Sequence, residues 1–126
     1  MITIPFLQPS QLVIILKVQH TTLPGERYLL QILEITVSVI SDVSNTVVST
    51  ITVGTNPRGV AYNAGLAEIF VTNAGSNYVS GISDSSNTVV EAVGVGVVPR
   101  GITYDSALGK VFVANSGSAT VSVLTQ

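Results

Sequence analysis

Short runs of aliphatic and aromatic residues, separated by clusters of Gly, Asn, Ser, Asp and Thr, succeed one another along most of the chain. Glu68-Ile69-Phe70-Val71, Asn77-Tyr78-Val79-Ser80-Gly81-Ile82 and Thr88-Val89-Val90-Glu91-Ala92-Val93 are representative, and each is too short for an ordinary helix. Within them β-branched and aromatic residues alternate with smaller or polar ones, as in strands whose two faces meet different surroundings. The breaks hold residues that accept turn conformations, so the pattern predicts many short strands joined by tight turns.

These runs recur. Pro57-Arg58-Gly59 returns 42 positions later as Pro99-Arg100-Gly101, and Asn45-Thr46-Val47-Val48 returns as Asn87-Thr88-Val89-Val90. Gly59-Val60-Ala61-Tyr62 and Gly101-Ile102-Thr103-Tyr104 read as first strands. Glu68-Ile69-Phe70-Val71 and Lys110-Val111-Phe112-Val113 follow as second strands, with Asn77 to Ile82 and Ala119 to Leu124 as third strands. Thr46 to Ile51 and Thr88 to Val93 complete their units as fourth strands, and the last unit lacks one of its own. A period of this length is that of one propeller blade. The predicted fold is therefore all-β: a single β-propeller repeat domain over residues 1–126, with about three blades of four antiparallel strands. Gly59 and Gly101 would let innermost strands crowd toward a central channel, while Tyr62, Tyr104, Phe70 and Phe112 would fill the wedge between adjacent blades.

Residues 37–124 carry the repeat clearly, and residues 1–36 read as a degenerate first blade and a candidate closure strand. There Gly25 aligns with Gly109, Glu26 with Glu68, and Tyr28 with Phe70 and Phe112, so Tyr28-Leu29-Leu30 is expected as a second strand and Thr36 to Ile40 as a third. Gln8-Pro9-Ser10-Gln11-Leu12-Val13 resembles Asn56 to Ala61 if about six extra residues are accommodated around His20 to Leu23. Ile2-Thr3-Ile4 is then left over, and pairing with the edge at Thr120 to Leu124 would supply the missing fourth strand. A closed ring usually needs about four to eight blades. Two copies of about three blades would close one six-bladed propeller as a homodimer, and a piece of a larger propeller is the competing explanation.

Composition sharpens this picture in a few respects. Hydrophobic residues fill 46% of positions and charged ones only 10%, which favours buried strands over disorder. The net charge is −2 and the basic residues Lys17, Arg27, Arg58, Arg100 and Lys110 are scattered, so no nucleic-acid partner is expected. Without cysteine, a disulfide framework and a thiolate zinc site are excluded. Met1 to Leu16 is interrupted by Pro5, Gln8, Pro9, Ser10 and Gln11 and has no basic start, so neither a transmembrane segment nor a signal peptide is expected.

Phe70-Val71-Thr72-Asn73-Ala74-Gly75-Ser76-Asn77, weakened to Phe112-Val113-Ala114-Asn115-Ser116-Gly117-Ser118-Ala119, resembles the YVTN-type β-propeller repeats of surface-layer-like proteins of archaea and bacteria. The Asn-Thr-Val-Val segments and the Pro-Arg-Gly turns share in that resemblance. It implies the propeller fold and an extracellular or cell-surface setting. It implies no catalytic residues, because related propellers serve as surface proteins, binding scaffolds and, more distantly, enzyme domains.

The candidate ligand-binding residues are Arg58 and Arg100, with Asn73, Ser76, Asn115 and Ser118 on the same rim. That polar ring could take a carboxylate, a phosphate or a peptide carbonyl; the alternative task for each guanidinium is to tie neighbouring blades together. Asp42 and Asp84, recurring before Asn45 and Asn87, are expected to cap turns rather than to hold a cation, and Gln126 stands at the corresponding place in the last unit. His20 reads as a loop or edge residue, and Tyr78 as a surface contact. No metal and no cofactor are called for. The function expected is a noncatalytic structural or protein-interaction module, with small-anion or peptide binding at the Arg58/Arg100 rim as the alternative.

Overall fold

The structure, a computed structural model, describes residues 2–3, 6–8, 11–16, 20–23, 27–30, 35–41 and 46–125, and these form strands and turns. In chain order the strands are β1 (Ile2–Thr3), β2 (Phe6–Gln8), β3 (Gln11–Leu16), β4 (His20–Leu23), β5 (Arg27–Leu30), β6 (Thr36–Ser41) and β7 (Thr46–Thr52). They continue as β8 (Pro57–Asn63), β9 (Glu68–Asn73), β10 (Tyr78–Ser83), β11 (Thr88–Gly94), β12 (Pro99–Asp105), β13 (Lys110–Asn115) and β14 (Thr120–Thr125). All the pairings are antiparallel.

The second blade is a four-stranded meander, β8-β9-β10-β11, and the third is its three-stranded counterpart, β12-β13-β14. Their first strands come together at Gly59, where a Cβ would collide with the carbonyl oxygen of Arg100. Only a residue without a side chain permits that approach. The expected crowding of innermost strands is therefore present at this junction, and Thr72 fastens it. The Thr72 hydroxyl accepts from the Gly59 amide at 2.8 Å and donates to the Arg100 carbonyl at 2.9 Å, joining β9, β8 and β12.

The core lies between blades. Successive side chains of a strand point to opposite faces, so β9 divides its residues between two neighbours. Ile69 and Val71 pack with Ile82 against Val37, Val39 and Ile51 of β6 and β7, with Val60 and Tyr62 alongside. Phe70 faces the other way, joining Val79 against Val111, Val113 and Leu124 of the third blade, with Ile102 and Tyr104 alongside. Tyr62, Tyr104 and Phe70 thus take the inter-blade positions expected of them, whereas Phe112 lies on the third blade's far face, half-buried.

The turns repeat as faithfully as the strands. Asn63 Oδ1 accepts from the amides of Gly65 and Leu66, and Asp105 Oδ1, 42 positions later, accepts from those of Ala107 and Leu108. Left-handed backbone also recurs at that spacing: Asn56 (φ 55°) with Val98 (φ 52°), and Asn77 (φ 62°) with Ala119 (φ 52°). Asn tolerates this conformation, whereas the β-branched Val98 is strained in it.

The N-terminal third departs from its expected register. β3 (Gln11–Leu16), expected innermost, pairs directly with β6 through Gln11↔Ser41 to Ile14↔Ser38 and so takes the second-strand place. Tyr28, expected in that place, belongs instead to the separate hairpin β4-β5, where it pairs with Thr22. Leu12-Val13-Ile14-Ile15-Leu16 is an unbroken apolar run, the pattern suited to a strand covered on both faces, and Tyr28-Leu29-Leu30 is shorter. β1 and β2 flank β3 on its other side, Ile2 pairing with Leu16 and Thr3 with Ile15. Within the chain, therefore, β1 does not pair with β14 as a closure strand. Ile4, Ser10 and the Gly25-Glu26 segment lie outside the described residues.

Two substitutions borrowed from the other repeat check this description by thermal unfolding. Val98→Asn, restoring the residue of position 56, is expected to stabilise by about 1 kcal/mol through relief of backbone strain. Thr72→Ala, importing the residue of position 114, is expected to cost about 1–3 kcal/mol because it strands the Gly59 amide and the Arg100 carbonyl.

Candidate functional site

The rim of the second and third blades is built where each first strand begins beside the end of its second strand. Pro57 pairs with Asn73 and Pro99 with Asn115, so Arg58 and Arg100 lie at the end of their blades that carries the β9–β10 and β13–β14 turns. The segment entering each blade is clasped by that turn. Gly54 donates to Asn73 Oδ1 at 3.1 Å and Thr55 donates to Ser76 Oγ at 3.0 Å, while Ala74 and Gly75 donate back to the carbonyls of Asn56 and Thr55. In the third blade Val97 donates to Ser118 Oγ at 3.0 Å, and Ser116 and Gly117 donate to the carbonyls of Val98 and Val97.

This clasp decides what the sequence-predicted rim residues do. Asn73 is 0% exposed, with its amide nitrogen donating to Ser80 Oγ at 2.9 Å. Asn115 is 1% exposed and donates to Ser122 Oγ at 2.9 Å, while its Oδ1 has no hydrogen-bond partner. Ser76 and Ser118 hold the linkers. Asn73, Ser76 and Ser118 secure the blade entrances, whereas Asn115 bonds within its own blade, to Thr120 and Ser122.

Arg58 and Arg100 are neighbours. Burial and, second, the positive charge of Arg100 push the Arg58 guanidinium below its ordinary pKa. Arg58 Nε is buried without a hydrogen-bond partner, so the tie to a backbone carbonyl that the alternative reading needs is not made by that nitrogen. Arg100 is exposed.

Sequence reasoning passed over Gly54, Gly96 and Thr72. A Cβ on Gly54 would stand 2.6 Å from Ser76 Oγ and 2.7 Å from Asn73 Cβ, and one on Gly96 would stand 2.6 Å from Ser118 Oγ. The recurrence of Val53-Gly54 as Val95-Gly96 at the repeat spacing was the available signal. Asn77 was also missed as a bridge, its Oδ1 accepting from the Val98 amide at 3.0 Å.

The opposite rim holds two further arrangements. Asp84, expected to cap its own turn, instead accepts from the Tyr62 hydroxyl at 2.8 Å, and the turn is closed by the Asn87 backbone amide donating to the Ser83 carbonyl. That bond, followed by burial, raises the Tyr62 phenol above its ordinary pKa. Asp42, Asn45 and Gln126 lie outside the described residues. Glu68 on β9 and Glu91 on β11 converge over Gly81 on β10, where a Cβ would stand 2.5 Å from Glu91 Cγ and 3.2 Å from Glu68 Oε1. Both Oε1 atoms are buried without a partner. Burial first, and then the Glu91 carboxylate, raise the Glu68 pKa. Tyr78 is half-buried in β10, and His20 begins β4, paired with Leu30. Among the described residues no helix is long and apolar enough to cross a membrane.

Among solved structures the chain is similar to the hydrazine synthase of Kuenenia stuttgartiensis over 73% of its length, at 23% identity and a TM-score of 0.68. It is similar to the Dos1 propeller over 100% of its length, at 11% identity and a TM-score of 0.55. It spans 27% of the first of those chains and 34% of the second. At such identities the likeness is one of fold, and the fold is a β-propeller in part, with about three blades. No family model and no curated protein matches.

The carboxyl pair makes stability depend on pH in a defined direction. A raised Glu68 pKa means that the folded chain holds the proton more tightly than the unfolded one. The resulting stability is complete below the ordinary glutamate range and is lost as pH rises through the folded pKa. Glu68→Gln, which mimics the protonated form, is expected to raise the unfolding temperature at pH 7 by roughly 2–4 °C, with the difference vanishing at low pH. Unfolding scans across pH measure it.

Proposed function

We propose that the chain is a noncatalytic protein-interaction module whose third blade docks a blade from a second copy, closing a six-bladed propeller as a homodimer. The observation that carries the reading is the third blade's far face. Gly101, Thr103, Phe112, Ala114 and Val121 line an apolar depression there of about 300 Å³, with Val121 63% and Val123 47% exposed. Phe112 and Val121 stand 42 positions after Phe70 and Val79, the residues with which the second blade packs on the third. Gly101 likewise succeeds Gly59, yet nothing crowds it but Ala114 Cβ at 3.7 Å. The face thus continues an inter-blade surface already built within the chain, which favours another blade of the same repeat as its occupant.

Face-to-face packing, rather than exchange of the N-terminal strand, supports this association, since Ile2 and Thr3 are already paired with β3. Ala114 replaces Thr72, so the docked blade would be held by apolar contact without the hydroxyl bridge. The noncatalytic part of the reading rests on the polar residues Asn63, Thr72, Asn73 and Ser76, whose side chains serve the backbone of turns, linkers and blade junctions. The YVTN-like segments at Phe70 to Asn77 and Phe112 to Ala119 support an exported or cell-surface setting.

Light scattering over a dilution series is expected to give twice the chain mass of 13.1 kDa. Val121→Glu, which puts a charge on the docking face, is expected to yield a monomer with an unchanged β-sheet circular dichroism spectrum. A monodisperse monomer from the unaltered chain overturns the reading.

A further inference from the structure

We infer that Arg58 and Arg100 form a binding site for one dianionic oxygen ligand, a phosphate or a dicarboxylate, at the junction of the second and third blades. Arg58 and Arg100 stand on neighbouring innermost strands, near enough for the charge of Arg100 to act on Arg58, and among the described residues neither is paired with a carboxylate. The two positive charges repel each other, and Arg58 Nε is a buried donor left without an acceptor. An anion between the two groups removes both costs at once.

The framework holds the pair in place. Gly59 lets β8 and β12 touch, and the Thr72 hydroxyl bridges the Gly59 amide to the carbonyl of Arg100 itself. The backbones bearing the two arginines therefore cannot separate to relieve the repulsion, and a ligand finds the strands that carry its donors already fixed. The planar fork of each guanidinium offers paired N–H groups matched to two oxygens of one anion, which a lysine could not do. Two positive charges favour a dianion over a monoanion. Asn73, Ser76 and Ser118 are engaged in the linker clasp and take no part as donors.

Both arginines belong to one chain, so the site does not depend on dimer formation, and a monomer in light scattering leaves it standing. The experiment is calorimetric titration at low ionic strength with inorganic phosphate and, separately, succinate, against sodium chloride at matched ionic strength. Saturable binding of at least one anion at one per chain is expected, and the anion that binds identifies the ligand class. Arg58→Gln and Arg100→Gln should each weaken it by about tenfold or more. Arg100 is exposed, so Arg100→Gln keeps the test valid even if Arg58→Gln unfolds. The binding anion should also raise the unfolding temperature of the unaltered chain and not that of Arg100→Gln. Absence of saturation with both anions, or variants that bind like the unaltered chain, overturns the proposal.

Discussion

A strand whose side chains are apolar on both faces is stable only between two neighbours, and β9 is that strand here. Ile69 and Val71 are covered by β6 and β7, and Phe70 is covered by β13 and β14. Removing either neighbour would return large apolar area to water, at about 25 cal/mol per Å². The second blade therefore has both sides covered within the chain, and the third has only one. The crowding at Gly59 follows from the same packing, as does the apolar face around Phe112 and Val121.

Bringing blades this close buries backbone polar groups at the linkers, and each must find a partner. Asn73, Ser76 and Thr72 meet that need, and the first two recur as Asn115 and Ser118 while Ala114 stands in place of Thr72. Once those side chains are spent on the fold, few polar groups remain unaccounted for. Arg58 and Arg100 are left at one rim on neighbouring strands, and Glu68 and Glu91 toward the other, meeting across β10. The glutamates can relieve their repulsion by taking up a proton. Guanidiniums stay protonated, so the arginines have no such route, and an anion is the relief proposed for them.

Some of this arrangement was legible in the residues and some was not, for physical reasons. Pro57-Arg58-Gly59 and its return at Pro99 located both inner strands, each of which begins at that triplet. Tyr28 misled the alignment, since aromatic identity at one position says less about strand order than the unbroken apolar run from Leu12 to Leu16. Asp84 looked like a turn cap because Asp can bond its own backbone, yet a tyrosine hydroxyl reached it first. Thr72 stood out only as part of the Phe70 to Asn77 motif, and its bridge to Arg100 joins groups far apart in sequence.

The sequence by itself determined the repeat, the short antiparallel strands, the turns and the propeller class, because these depend on local periodicity and on residues that suit particular backbone angles. Only the tertiary structure decided the N-terminal strand order, the use of Asn73, Ser76 and Ser118 as a clasp, and the meeting of like charges at two places in the fold. Each of these is a contact between residues distant along the chain, settled by which packed face and which backbone group lie within reach once the blades have closed on one another.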